Sequence, residues 1–386
     1  MKLPYWNLDS IFPSLESPEF ARAKVKLEKD IIKLETFCNN HDIRAGKQLS
    51  VRKETTKTLD LLLGTFNTLS RDFADVRTFL SLITSTDAFN EKAQAERSSL
   101  SALATRYSNI GTRLTAWVGR HESKHLIASE KAKAHRHGLE KNIFLARRLM
   151  SEEAEELFSS LRPSSSVAWS NLHDSLSSRA TIKRKVKGTA REYTIAELKS
   201  LNNDKDAKVR KAAFNAEREL LTQHEVSFAA AMNSIKGQVN EVTKKRGWPS
   251  GLEQALFINS ISSKSLEAMQ QACQESFPIF RRYLKAKAKF MGKSKLPWHD
   301  LFAPLSIGKV KSYDWKEAQR FILEHFRSYS DTLADFAKHT FDEGWHDVPP
   351  RKGKMGGAFC TKVPGRKESR LLHNYTGSLD DLFTLA

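Results

Sequence analysis

The chain has little cysteine, no long apolar run and fewer acidic than basic residues. Its three cysteines, Cys38, Cys273 and Cys360, lie far apart in 386 residues. This spacing argues against a disulfide framework and favours a reducing compartment. No apolar stretch approaches the ~20 residues that a membrane helix needs, and the N-terminus has no apolar core of a signal peptide. We therefore expect a cytoplasmic protein without membrane contact.

Basic residues exceed acidic residues by 63 to 45, which gives a formal net charge of +18. Such a charge can serve an acidic partner, such as nucleic acid or anionic lipid. The lysines and arginines are, however, spread along many segments, and no aromatic-interleaved basic motif of an RNA-binding sheet occurs. One dense basic run at residues 183–187 is more typical of a solvated strand face. Nucleic-acid binding is therefore a disfavoured function.

Apolar residues recur at helical spacing along most of the chain. The pattern predicts long helices over residues 16–40, 50–85, 88–120, 121–150, 206–246, 262–291, 314–328 and 330–343. Apolar residues make up 40% of the chain and charged residues 28%, which are values typical of globular proteins. We therefore predict a mainly α fold.

Polar residues at helix-capping positions support several of these helices. Asp87 is a plausible cap for the helix over residues 88–120, and Ser151 with two following glutamates predicts a further short helix. Asp314 and Glu317 have the spacing of a capping box.

The pattern changes between residues 179 and 193, which indicate a polar β-hairpin. Directly after it, Thr194 and Glu197 form a capping box that opens a short helix. We place a domain boundary here. The prediction is a helical N-terminal domain over residues 1–195 and a second domain over residues 196–386.

The last 32 residues carry a glycine-rich strand, a turn and the start of a helix. Residues 355–363 and 368–374 predict a β-hairpin. Ser378 and Asp381 form a capping-box variant that starts a helix near residue 379. Its apolar face would comprise Leu379, Leu382, Phe383 and Ala386. Because this short helix has no stop signal and would be marginal alone, we expect the chain to be truncated.

Residues 356–358, two glycines and an alanine, let another backbone approach closely. An edge strand here could pair with an extended peptide through main-chain hydrogen bonds. The alternative is a glycine-rich turn before a buried strand, and the residues alone do not decide between the two. No cysteine-protease signature surrounds Cys360, so we do not expect it to act as a nucleophile.

A literal H-E-x-x-H motif occurs at residues 121–125. A zinc peptidase needs two such histidines one helical turn apart and the glutamate to activate a zinc-bound water. We reject a metal site here because Lys124 would lie inside the ligand turn, with Arg120 beside it, and positive charge disfavours Zn²⁺. His135 and His137 alternate and do not share a helical face. We predict no metal site in this chain.

Five segments resemble the oligoendopeptidase F family, in the thimet-oligopeptidase class of zinc metallopeptidases. They are W-N-L-D-S-I-F-P at 6–13, R-G-W-P-S at 246–250, W-H-D-L-F-A-P-L at 298–305, K-M-G-G-A-F-C at 354–360 and S-L-D-D-L-F-T-L-A at 378–386. In that family the last segment leads directly into H-E-x-G-H. The resemblance spans the chain and is most specific after residue 246, but this zinc motif is absent.

The resemblance implies a helical N-terminal domain and the first part of a clamshell, zincin-type catalytic domain with a small β-hairpin near the C-terminal end. The family hydrolyses short peptides in a deep cleft, with one zinc held by the two motif histidines and a downstream glutamate. The motif is expected immediately after Ala386. This chain should therefore hold neither zinc nor catalytic residues and should be inactive as it stands.

In the family, the glycine-rich strand borders the substrate cleft. The resemblance thus favours substrate contact by Gly356, Gly357, Ala358, Phe359 and Cys360, with His373 and Tyr375 as further candidates. The expected partners are short peptides. The alternatives are a non-catalytic helical module that binds peptides or proteins and, less favoured, a basic nucleic-acid-binding protein.

Overall fold

Helices form most of the chain in the computed structural model, which describes residues 3–186, 188, 190–305 and 311–386. The N-terminal helices are α1 (Pro18–Asn40), α2 (Lys53–Thr86), α3 (Glu91–Val118), α4 (Ser123–Leu126), α5 (Glu130–Ala134), α6 (Arg136–Ala146), α7 (Glu152–Leu161) and α8 (Ser166–Arg179). A hairpin of strands β1 (Thr181–Lys185) and β2 (Ala190–Thr194) follows. The predicted mainly α fold is confirmed.

The second half of the chain is also helical and ends in a small sheet. Its elements are α9 (Ile195–Ser200), α10 (Ala207–Gln223), α11 (Glu225–Lys245), α12 (Gly251–Asn259), α13 (Ser263–Phe290), α14 (Trp315–Tyr329), α15 (Asp331–Asp342), β3 (His346–Asp347), β4 (Phe359–Val363), β5 (Glu368–Leu372) and α16 (Leu379–Leu385). None of the described helices is long and apolar enough to cross a bilayer. The division at residue 195 stays a prediction.

Two of the predicted long helices are wrong because the structure interrupts each of them. The segment 121–150 contains three short helices, and Ser129 caps the second by accepting from the Ala132 N–H at 3.0 Å. The same hydroxyl donates to Asp60 of α2 at 2.6 Å, so a tertiary contact helps to set the break. The predicted helix over 206–246 is interrupted at His224, where φ is −108° and ψ is 6°.

Two other expectations about helices need correction. Asp87 does not cap α3, because the Asn90 side chain accepts from the Ala93 N–H at 2.9 Å. Helix α12 was not predicted, although Ser250 caps it. The capping boxes at Thr194, Asp314 and Ser378 are confirmed, as is the Ser151 cap.

Among the described residues, buried apolar side chains form three clusters. The first joins helices α1 to α6, and it extends to Val363 of β4, which is fully buried. The second lies between the β1–β2 hairpin and helices α9 and α10. The third joins α14 to Val348, Tyr375 and helix α16. The strands of the C-terminal sheet therefore connect the first cluster to the third.

The C-terminal sheet has the strand order β3-β5-β4. Strands β4 and β5 are antiparallel, with Phe359 opposite Leu372 and Val363 opposite Glu368, so the predicted hairpin is confirmed. Strand β3 pairs with β5 in parallel. It has only two residues, which is too short for a recognisable sequence pattern.

The predicted apolar face of α16 is wrong in part. Leu382 and Leu385 are buried in the third cluster, whereas Leu379 is 48% exposed and Phe383 is 68% exposed. The sequence pattern predicted the position of the helix correctly but not which of its faces is buried.

Candidate functional site

Strand β4 forms one edge of the C-terminal sheet, and its hydrogen-bonding direction follows from the pairing of β5. The Leu371 N–H donates to the carbonyl of Trp345, directly before β3, at 2.9 Å, and the His373 N–H donates to that of Asp347 in β3 at 2.8 Å. The alternate residues of β5 therefore pair with β4, through Phe359, Thr361 and Val363. By this alternation, the main-chain groups of residues 360 and 362 face away from the sheet.

A contact with α2 supports this assignment. The Thr78 hydroxyl donates to the Lys362 carbonyl at 3.4 Å, so this carbonyl does not face β5. Within the part of the chain that the structure describes, no other strand pairs along the outer side of β4. Cys360 is exposed. Its N–H and C=O are thus placed to form hydrogen bonds with another extended backbone.

The glycine-rich segment before β4 continues this exposed edge. Gly356, Gly357 and Ala358 are exposed. Gly357 has φ of +80°, a backbone conformation that residues other than glycine rarely adopt. The Asn374 side-chain amide donates to the carbonyls of Met355 at 3.0 Å and Gly357 at 2.8 Å. One side chain that follows β5 thus holds the segment that leads into β4.

The inner face of β4 is anchored in a rigid core. Phe359 packs against the first apolar cluster and is half-buried, while Val363 is fully buried within it. Because side chains alternate along a strand, these two residues fix the strand while Cys360 stays exposed. The five predicted residues from Gly356 to Cys360 are thus consecutive along the edge strand and the segment before it, but Phe359 faces the core while the other four are exposed. Their contact with substrate stays a prediction.

The other two predicted site residues, His373 and Tyr375, are not brought to this exposed edge. Their side chains are 5% and 4% exposed. The Tyr375 hydroxyl donates to the Tyr313 carbonyl at 2.9 Å, and burial raises the pKa of this phenol to about 12. These contacts give both residues a structural role, and their contact with substrate also stays a prediction.

His373 belongs to a buried pair of imidazoles. Its Nε2 lies 3.1 Å from Nδ1 of His346, and the two rings are stacked. The His346 Nε2 lies 2.9 Å from the Thr340 hydroxyl. The bond between the rings needs one donor and one acceptor nitrogen, so both rings cannot be protonated at once. Burial lowers the pKa of His346 to about 3 and that of His373 to about 4.

A buried ion cluster lies beside this pair and was missed in the sequence. Asp347 is 1% exposed and lies 2.6 Å from the Lys354 ammonium, whose side chain is fully buried. Arg351 binds the same carboxylate through two hydrogen bonds of 2.7 and 3.0 Å. Burial lowers the pKa of Lys354 to about 8, although the Asp347 charge opposes this shift. The cluster fixes the loop between β3 and the glycine-rich segment.

The H-E-x-x-H motif does not have the geometry of a zinc site. Its first histidine, His121, precedes α4, is 4% exposed and has Nδ1 3.0 Å from the Trp117 carbonyl. His125 lies within α4 and is exposed. Two histidines that do not share one regular helix cannot present the paired ligands that the motif requires. Across the described residues, no group of three His, Cys, Asp or Glu side chains is placed to hold a metal ion.

The dense basic run lies on the exposed strand β1, as its solvated-face interpretation predicts. Lys183, Arg184 and Lys185 are exposed, and Arg184 forms an ion pair with Glu219 of α10. Lys187, the last residue of the run, lies outside the described residues.

The fold is similar to that of solved oligoendopeptidase F structures. Among solved structures, oligoendopeptidase F from Enterococcus faecium superposes with a TM-score of 0.61 at 17% sequence identity. The match covers 86% of this chain and 63% of that one. No family profile matches the chain.

Sequence comparison with curated proteins is more specific. The chromosomal oligoendopeptidase F of Lactococcus lactis subsp. cremoris is 28% identical over 186 residues, which cover 48% of this chain. The oligopeptidase PepF of Bacillus subtilis (strain 168) is 24% identical over 263 residues, which cover 67% of this chain. The chain is therefore similar in sequence to oligoendopeptidase F and to oligopeptidase PepF. It matches 31% and 39% of the length of these two relatives.

Proposed function

We propose that this chain is the peptide-binding part of an oligopeptidase and that a short, extended peptide adds to the outer edge of β4. The observation that carries this proposal is the outward-facing main chain at Cys360, continued by Ala358 and the exposed glycines. Main-chain pairing is tolerant of sequence, because every peptide residue except proline offers the same N–H and C=O groups. The names of the curated relatives, an oligoendopeptidase and an oligopeptidase, support short peptides as the ligand class.

Hydrolysis needs groups that the described residues do not supply. The family resemblance implies zinc chemistry, in which the metal activates a water molecule. Neither His121 nor His125 fits that role, and no alternative ligand set is present among the described residues. We therefore propose that zinc ligands come from outside this part of the chain and that the chain alone binds peptides without cleaving them. The three free cysteines support a cytoplasmic location.

The test of peptide binding uses a proline substitution on the edge strand. Cys360→Pro removes one outward N–H without breaking a bond to β5, because proline is tolerated where a strand N–H faces solvent. Loss of that hydrogen bond should weaken the binding of a fluorescent alanine-based octapeptide about tenfold. The matched control is Cys360→Ala, which removes the thiol, keeps the N–H and should leave the affinity unchanged.

The affinities are compared by fluorescence anisotropy, with thermal unfolding as the check that both variants fold. Equal affinity of the Cys360→Pro variant and the original chain would contradict the proposed binding mode. Absence of hydrolysis is tested separately, by mass spectrometry of the peptide after incubation with zinc and by metal analysis of the protein. Stoichiometric zinc together with peptide cleavage by the 386-residue chain would refute the proposed need for further ligands.

A further inference from the structure

We infer that α2 closes the peptide-binding edge at both ends, so that only residues 358 and 360 pair with a bound peptide. This inference rests on the proposed function and adds the feature that limits how many residues of a bound peptide can pair with the edge. The helix would act as a specificity element by limiting the main-chain contact to a short, fixed window.

The first closed end lies where β4 finishes. The Lys362 carbonyl, which faces outward, already accepts the Thr78 hydroxyl at 3.4 Å, and Thr78 is 7% exposed. Beyond the strand, the Gly365 N–H donates to Asp75 at 2.9 Å. A Cβ atom added at Gly365 would collide with that carboxylate, which shows how closely α2 approaches. A peptide cannot continue its pairing past this point.

The second closed end lies before the glycine-rich segment. The Met355 N–H donates to the Ser85 carbonyl at 2.7 Å, near the C-terminal end of α2. Two residues earlier in the sequence, the Gly353 carbonyl accepts from the Ala88 N–H at 2.8 Å. The main chain on this side is therefore already bonded to the end of α2 and to the loop that follows it.

The distance between the two closed ends explains the exposed window. Thr78 and Ser85 are seven residues apart on a helix, which corresponds to about 10 Å of rise. Met355 and Lys362 are also seven residues apart, but an extended chain of that length spans up to about 23 Å. The segment is therefore longer than the stretch of α2 beside it, which leaves it the slack to arch outward between its two anchors. The arch contains Gly356, Gly357, Ala358 and Cys360, which are the exposed residues.

The window has a defined pairing capacity. Within it, the alternation along β4 places the main-chain groups of Cys360 outward. The inference extends this alternation by one step to Ala358, the residue directly before the strand. Each outward residue exchanges up to two hydrogen bonds with one peptide residue. A bound peptide should therefore use two of its own residues, two positions apart, for main-chain pairing. Further length should add no main-chain bond.

An N-methyl scan of the octapeptide tests this inference on the unaltered chain. Methylation of one amide nitrogen at a time should weaken binding about tenfold at two positions only, separated by one insensitive position. In parallel, Lys362→Pro removes an outward N–H on the part of the edge that α2 covers. Its affinity should stay within twofold of the original chain, while Cys360→Pro loses about tenfold.

The outcomes separate this inference from the proposed function. Three or more alternating sensitive positions, or an equal loss in the two proline variants, would overturn the closed window and leave edge pairing intact. Binding that is insensitive at every position would overturn edge pairing, and the closed window with it. Because the scan changes only the peptide, it remains decisive even where a proline variant does not fold.

Discussion

Acidification should destabilise this protein through the buried His346–His373 pair. Both imidazoles are neutral in the folded chain, with pKa values lowered to about 3 and about 4 by burial. In the unfolded chain their pKa is about 6.5. Between these values the unfolded state binds more protons than the folded state, so the free energy of unfolding falls as pH falls from about 6.5.

The magnitude follows from the width of that pH range. A pH of 5 is about 1.5 units below the pKa of each histidine in the unfolded chain and above its pKa in the folded chain. Each should therefore reduce the free energy of unfolding by about 2 kcal/mol relative to pH 7. The pair together should cost about 4 kcal/mol, which is a large part of the stability of an ordinary domain.

Urea unfolding at pH 7, 6 and 5 measures this loss, and His373→Gln identifies its origin. Glutamine cannot titrate, and its amide nitrogen can take the place of His373 Nε2 in the 3.1 Å contact with His346. The variant should lose only about half as much stability between pH 7 and pH 5 as the original chain. His137→Gln, at an exposed histidine, is the control and should leave the pH dependence unchanged. An equal pH dependence of the original chain and the His373→Gln variant would refute the reasoning.

Two further substitutions test the support of the edge strand, both by urea unfolding at pH 7. Lys354→Met leaves the buried Asp347 carboxylate without its ammonium partner and should reduce the free energy of unfolding by about 3 kcal/mol. Lys352→Met, at a half-exposed ion pair, should change it by less than about 1 kcal/mol, and equal effects would contradict the assigned burial. Gly357→Ala should cost about 1–2 kcal/mol because φ is +80°. Gly356→Ala, whose Cβ would make only an ordinary contact with Ala196 at 3.9 Å and which has no such φ, should be nearly neutral, and the reverse order would count against the described loop.

The candidate site separates into an exposed edge and a buried support. The exposed part offers the outward main-chain groups of Cys360 and the exposed segment of residues 356–358 before it. The buried part contains the imidazole pair and the Asp347 ion cluster, which hold β3 and the loop before β4. A peptide that pairs with main-chain atoms needs those atoms to be held in place, since their position sets every hydrogen bond. The buried charges and imidazoles therefore hold the main chain of the edge strand in position.

The sequence by itself determined most of the local structure. The capping boxes that begin at Thr194, Asp314 and Ser378 occur where predicted. Each depends on hydrogen bonds between residues three positions apart, so neighbouring residues are sufficient to specify it. The β4–β5 hairpin was also predictable, because a short turn brings its two strands together. The glycine-rich segment was correctly located for the same local reason.

Only the tertiary structure decided which side of β4 is open and which predicted residues reach it. The open side depends on β3, a strand of two residues, and on α2, which lies more than 270 residues earlier in the chain. His373 and Tyr375 are adjacent to the site in sequence but buried, because the third apolar cluster and the imidazole pair enclose them. Contacts between distant segments leave no periodic signal in the residues that make them. Edge exposure and burial therefore became visible only when the whole chain was packed.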